Sequence, residues 1–121
     1  MAATRSTPAS LGRSRRGVVA KLIRNDIPAI AEESGQRMNA VGAPSYTHWW
    51  WLLRKLTEEV EELVDAVGED GILEEMADVY EVIRAMAERM HLNMTAVESR
   101  AAAKRHEKGS FSYMLIWDEE S

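Results

Sequence analysis

The sequence predicts an all-α fold with a helical hairpin as its core. Three observations carry that expectation. Apolar residues recur at helical spacing through two long segments, near 46–67 and 72–90. Capping and breaking residues bracket these segments. Gly68 and Gly71 stand between them, where they let the chain reverse. Two long helices and a shorter third make an incomplete bundle in one chain.

Residues 1–17 read as a disordered tail, and residues 18–121 as one domain. The tail, MAATRSTPASLGRSRRG, is rich in Ser, Ala, Thr and Arg and has almost nothing to bury. Its arginines could touch phosphate, but a solvated extension is the plainer reading. Val18 to Ile23 is β-branched at its start and gives a weak strand signal. Asn25 and Asp26 are good N-caps, and Pro28 suits a first turn. The short helix they open would run to about Ser34, with Gly35 closing it. After a loop containing Gly42 and Pro44, Ser45 or Thr47 caps the first long helix. The second runs from about Ile72 to Met90. Thr95 and Glu98 have capping-box spacing and open a third helix that ends near Lys108-Gly109. Phe111 to Trp117 is a second strand signal, and a short terminal β-pairing with 18–23 is the one non-helical element expected.

Composition excludes several classes. There is no cysteine, so there is no disulfide framework, thiolate nucleophile or thiolate zinc site. Fifteen Lys+Arg against twenty Asp+Glu give a net charge of −5, which argues against a nucleic acid polymer as partner. No apolar run reaches the roughly 18–20 residues that a membrane span needs. No leading stretch has the form of a secretion signal, so a soluble cytoplasmic protein is expected.

The carboxylates carry the chemistry. They cluster at Glu58-Glu59-Val60-Glu61-Glu62 and Glu74-Glu75-Met76-Ala77-Asp78. Glu59 with Glu62, and Glu75 with Asp78, are spaced i,i+3 and so share one side of a helix. At 100° per residue, Leu52, Leu56, Val60, Leu63 and Val67 form the apolar stripe of the first long helix. Glu59 flanks that stripe, and Glu62 lies further round beside Ala66. Glu58, Glu61 and Asp65 point away. On the second helix the stripe is Ile72, Met76, Val79, Val82, Ile83, Met86 and Met90. Glu75 falls inside it and Asp78 on its shoulder.

An ionised carboxylate aimed at a core is costly unless it is paired or holds a metal. The ordinary solution for Glu75 is an Arg or Lys partner, or a salt bridge between subunits. The other is a divalent cation, which resolves the repulsion of four converging carboxylates. All-oxygen ligands favour Mg²⁺ or Mn²⁺ over zinc. Magnesium takes substrate phosphates as further ligands, which points to a nucleoside polyphosphate.

Glu58-Glu59-x-x-Glu62, then twelve residues, then Glu75-x-x-Asp78 resembles the EExxE…ExxD signature of the all-α nucleoside triphosphate pyrophosphatases. That superfamily includes the MazG-like proteins, dimeric dUTPases and phosphoribosyl-ATP pyrophosphohydrolase. Lys21-Leu22-Ile23-Arg24-Asn25-Asp26-Ile27-Pro28 resembles the KLVRDKIP opening of a MazG-like branch described as phosphoribosyl-ATP pyrophosphohydrolase-like. Lys104 to Phe111 is similar to its K-x-x-x-R-G-G-F ending. The resemblance spans about residues 20–117. It implies that Glu59, Glu62, Glu75 and Asp78 bind Mg²⁺ and that Glu58 orients water. The implied reaction cleaves a nucleoside triphosphate, standard or non-canonical, to monophosphate and pyrophosphate. It further implies four-helix bundles completed in a homodimer or homotetramer.

The sequence departs from that pattern in two places. The opening reads Arg-Asn-Asp instead of Arg-Asp-Lys, so a basic residue is lost. Lys108-Gly109-Ser110-Phe111 keeps the charge of Arg-Gly-Gly-Phe but not its bidentate fork. Lys104, Arg105 and Lys108 are candidates for phosphate contact, or simply a cationic turn that suits a helix C-terminus. Lys21 and Arg24 are similar candidates. Lys55 either pairs with Glu58 or Glu59 or touches substrate. Among Trp49, Trp50 and Trp51, successive side chains fan about 100° apart. Trp49 is expected in the core, and Trp50 or Trp51 either stacks a base or, preferably, lies at a subunit interface. His48, His91 and His106 match no metal spacing. Two rivals stand beside the pyrophosphohydrolase reading: phosphoribosyl-ATP hydrolysis, and a non-catalytic helical module that binds a nucleotide or a partner.

Overall fold

The computed structural model describes residues 20–119. The expected tail at 1–17, and Val18 and Val19 of the first strand signal, lie outside them. All regular structure among the described residues is helical. The helices are α1 (Ile27–Glu33), α2 (His48–Asp65), α3 (Gly68–Arg89) and α4 (Met94–Lys108), with a 3-10 turn at Ser45–Thr47. None is long and apolar enough to cross a membrane. The chain divides into two compact units, Met1–Met86 and Ala87–Ser121.

In the first unit, α1 begins after Asp26 with proline in its first turn, and the Asp26 side chain makes no capping bond. Gly35 closes it at φ +82°. The amide of Gln36 donates to Ala31 O (2.9 Å) and that of Gly35 to Glu32 O (3.0 Å), the paired bonds of a Schellman motif. The entry to α2 is held by side chains. The buried Thr47 hydroxyl donates to Pro44 O at 2.6 Å, and His48 Nε2 donates to Ala43 O at 3.0 Å.

The reversal between α2 and α3 is tighter than the two glycines predict. Ala66 is extended (ψ 144°) and Gly68 takes φ +80°, so two residues turn the chain. Gly71 is therefore not a breaker but part of the first turn of α3. Glu69 and Asp70 suit the positive end of that helix.

In the second unit, α3 ends in another Schellman motif. His91 stands at φ +60°, with His91 N donating to Glu88 O (3.0 Å) and Leu92 N to Ala87 O (2.8 Å). Asn93, not Thr95, caps α4: its side chain accepts from Ala96 N at 2.8 Å. Asn93 has the extended backbone that a cap needs, whereas Thr95 already lies inside the helix.

The strands of the expected β-pairing are not found among the described residues. Neither 20–23 nor 111–117 is a strand, because a strand needs a ladder partner and neither segment finds one among the described residues. Phe111, Tyr113, Met114, Leu115, Ile116 and Trp117 stand 79–92% exposed.

The apolar stripes are buried only along their inner part. Among the described residues the buried apolar side chains are Ala31, Val82 and Ala87. Leu52, Leu56, Leu63, Val79, Ile83 and Met86 are half-buried. Val60, Val67, Ile72, Met76 and Met90 are exposed, and so is Trp49, which was expected in the core. Stripes this wide exceed what one pair of helices can cover.

Candidate metal centre

The site is built on the α2–α3 hairpin, within the first unit. Glu62 interacts with Glu75 across the hairpin, and Glu59 lies beside Asp78. Moving three residues forward on α2 moves three residues back on α3, which is the register of an antiparallel pair. The i,i+3 spacing on each helix thus becomes a cluster in space.

The cluster consists of two overlapping triads. Glu59, Glu75 and Asp78 each offer a carboxylate oxygen within 4.8 Å of the others, and so do Glu58, Glu59 and Glu62. Glu59 belongs to both. It is also the most deeply buried charged residue described, at 5% exposure. The wheel placed Glu75 deeper than Glu59. The structure reverses that order, because Lys55 and the facing helix cover Glu59 while Glu75 stays half-buried.

Three cations touch this cluster. Lys55 Nζ lies 2.7 Å from Glu58 Oε1 and 3.1 Å from Glu59 Oε2. Arg24 donates to Asp78 Oδ1 at 2.7 Å, and Lys21 Nζ stands 3.7 Å from Glu58 Oε2. The segment 21–24 therefore reaches both helices of the hairpin. Two buried carboxylate oxygens, Glu59 Oε1 and Glu75 Oε2, find no hydrogen-bond partner among the described residues.

The electrostatics follow from that imbalance. Glu75 titrates above the usual carboxylate value, first because burial disfavours its charge. Repulsion from Glu62, Asp78 and Glu59, and the hydrogen bond with Glu62, push the same way. For Lys55, burial is the largest single influence and would lower its pKa. The hydrogen bonds and attraction from Glu58 and Glu59 together outweigh burial, so its pKa is raised and it stays charged.

These residues fit a hard divalent cation. The donors are all carboxylate oxygens, they come from two rigid helices, and two of the oxygens are buried and unpaired. Glu59, Glu75 and Asp78 could hold such an ion as one group, and Glu62 joins the cluster through Glu58 and Glu59. Glu58, occupied by Lys55 and Lys21, lies at the edge.

The expected phosphate-binding residues divide between the units. Lys21, Arg24 and Lys55 are gathered at the carboxylates, while Lys104, Arg105 and Lys108 are exposed on α4 in the second unit. The sequence did not group the residues of one cleft. Trp50, Leu53, Arg54, Thr57, Glu58 and Glu61 line a cleft on α2 together with Ala20, Lys21 and Leu22. Its signal in the sequence is the i,i+4 pair Trp50 and Arg54, whose guanidinium stands 5.6 Å from the Trp50 ring centre. Trp50 also meets Trp51 edge-on, with centroids 4.7 Å apart.

Comparison with known proteins gives no match: no family model fits the chain, and no curated protein or solved structure is similar to it.

Proposed function

We propose that this chain is a Mg²⁺-dependent nucleotide pyrophosphohydrolase, with Mn²⁺ able to replace Mg²⁺. The observation that carries the reading is the pair of buried, unpartnered oxygens, Glu59 Oε1 and Glu75 Oε2, inside one carboxylate cluster. Burying two acceptors with no donor is costly, and a cation is the simplest remedy. The three segments that resemble the MazG-like pyrophosphatases support the same assignment. The substrate would be a nucleoside triphosphate of the cytoplasmic pool, standard or non-canonical.

The bound ion would neutralise phosphate charge and lower the pKa of a coordinated water. Glu59, Glu62, Glu75 and Asp78 would hold it on the rigid α2–α3 hairpin. Glu58 orients the attacking water from the edge of the cluster. Water adds at a phosphorus of the α–β anhydride, the bridging P–O bond breaks, and the products are nucleoside monophosphate and pyrophosphate. Lys21 and Arg24, which pair with Glu58 and Asp78, would meet the substrate's phosphates. A second copy of the chain would cover the exposed part of the stripes and complete a four-helix bundle, as a homodimer or homotetramer. Phosphoribosyl-ATP remains an alternative substrate for the same chemistry.

A second reading has its own observation. Lys55, Arg24 and Lys21 already neutralise part of the cluster with no metal at all, as a non-catalytic nucleotide- or partner-binding module would. Turnover separates the two. Pyrophosphate release is measured over standard and modified nucleoside triphosphates and phosphoribosyl-ATP, with and without Mg²⁺. Mg²⁺-dependent release with a matching monophosphate, abolished by Glu75→Gln, is the expected result. A folded protein that releases no pyrophosphate across the panel, or a Glu75→Gln variant as active as wild type, overturns the reading.

A further inference from the structure

We propose that the cleft on the outward face of α2 receives the nucleoside end of the substrate, with its base against Trp50. The inference rests on the nucleotide reading above and adds to it the place where the base and sugar sit.

The cleft has a volume of about 610 Å³, within the roughly 300–1,000 Å³ usual for small-molecule sites. One wall is a continuous helical face, since Trp50, Leu53, Arg54, Thr57, Glu58 and Glu61 are spaced at helical intervals on α2. The other wall is the extended segment Ala20–Leu22. The chemistry of the two walls is mixed in a specific way. Lys21, Arg54 and Lys55 face Glu58 and Glu61, so the lining is net positive in a chain whose net charge is −5. A polyanion is drawn to such a place on an otherwise acidic surface.

The Arg54 guanidinium lies over the Trp50 ring, 5.6 Å from its centroid, so a base would stack on the outer face of that pair or displace the guanidinium. Ring and guanidinium are both surfaces on which a base stacks whatever its identity. Leu22 and Leu53 add apolar contact. Glu58 and Glu61, which accept hydrogen bonds when ionised, suit sugar hydroxyls and base amino groups.

The decisive feature is continuity. Glu58 and Lys55 line the cleft and also belong to the carboxylate cluster, where Lys55 bridges Glu58 and Glu59. A base in the cleft therefore leads its phosphates past Lys21 and Lys55 toward the residues that would hold the metal.

The test compares wild type, Trp50→Ala and Trp50→Phe. KM and kcat are measured for Mg²⁺-dependent pyrophosphate release, and tryptophan fluorescence is followed as nucleoside monophosphates are added. Loss of a stacking partner should raise KM by roughly 5- to 150-fold in Trp50→Ala, with the smaller change in kcat. Trp50→Phe restores an aromatic face, so it should recover most of that loss while reducing the fluorescence quench to what the neighbouring Trp51 supplies. The Phe variant also covers the case in which the Ala variant fails to fold. If wild type turns over but Trp50→Ala and Trp50→Phe both keep wild-type KM, the cleft is not the base site and the hydrolase reading stands. If wild type does not turn over, the hydrolase reading falls. A monophosphate quench that depends on Trp50 then still assigns the cleft to a nucleotide, and its absence overturns the cleft as well.

Discussion

Arg24 donates to Asp78 Oδ1 at 2.7 Å, across 54 residues of chain. The contact ties the extended segment before α1 to the carboxylate triad on the hairpin. It also sets a competition, because the oxygen that Arg24 occupies is one a cation would need. The pair is open to solvent, with side chains 56% and 36% exposed. Exposed pairs contribute about 0–1 kcal/mol, so the competition is mild. Arg24→Ala should lower stability by less than about 1 kcal/mol and tighten Mn²⁺ binding by at most about fivefold. Calorimetric titration with Mn²⁺ reads the affinity directly. Unchanged or weaker Mn²⁺ binding would show that Asp78 does not have to release Arg24.

Glu75 gives the metal-free protein a pH dependence of definite sign. Its pKa is raised in the folded state, first by burial and then by Glu62, Asp78 and Glu59. The folded state therefore prefers the protonated acid. The stability this contributes is fully present below the ordinary value of 4.5 and is lost as pH rises through the raised one. In chelator, wild type should lose stability over that window relative to Glu75→Gln, which has no proton to lose there. Urea midpoints of both proteins, measured from pH 4 to 7, test it, and Mg²⁺ should remove the difference from the high-pH side. Parallel profiles would mean that Glu75 is not repelled by its neighbours.

Lys55 serves the cluster as an internal counterion. Its side chain is 17% exposed and it holds both Glu58 and Glu59, the latter's side chain only 7% exposed. Removing it strands a buried carboxylate that already has one unpaired oxygen. Lys55→Met should cost about 1–3 kcal/mol at neutral pH, the desolvation penalty of an unsatisfied buried group. Adding Glu59→Gln should restore part of that loss, and a double-mutant cycle measures the coupling. Additive losses would deny that the two residues are partners.

How much of this was legible depended on the distance over which each feature is decided. The all-helical class, the long α2 and α3 and the convergence of Glu59, Glu62, Glu75 and Asp78 follow from local periodicity plus one reversal. The exact turn did not follow, since sequence alone could not say that Gly68 would suffice and Gly71 would stay helical. The burial order of Glu59 and Glu75 was inverted because a wheel knows one helix and not the Lys55 side chain lying over it. The strand signal at 111–117 was a true reading of β-propensity, but propensity cannot supply a ladder partner. The contact of Arg24 with Asp78 was not legible, because the two residues are 54 positions apart in the chain.

The two Schellman motifs make a matched pair of predictions. Gly35 at φ +82° and His91 at φ +60° occupy the same left-handed position after a helix. No atom lies within 4 Å of a Cβ built on Gly35, so only backbone strain opposes a side chain there. Gly35→Ala should destabilise by about 1 kcal/mol, and His91→Gly should stabilise by up to about as much. Thermal melts of both variants check the signs. A His91→Gly protein less stable than wild type would give the imidazole a contact that outweighs the strain.

The exposed stripes predict association. α2 leaves Val60 and Val64 in solvent at 43% and 78% exposure, and α3 leaves Leu73, Met76 and Tyr80 at 63%, 54% and 49%. These residues recur at i,i+4 on one helix and at i,i+3,i+7 on the other, so each helix presents a continuous apolar ridge. A stable interface buries about 800 Å² per partner, and ridges of this kind are its usual core. A second hairpin laid against them would supply the layer that the single chain lacks. Sedimentation equilibrium at roughly tens of micromolar, a concentration at which a standard-size interface holds, should give a dimer or tetramer. Leu73→Glu, which places a charge on the ridge, should shift it toward monomer with helical content retained. A wild type that sediments as a monomer would remove the oligomer, and the four-helix bundle with it.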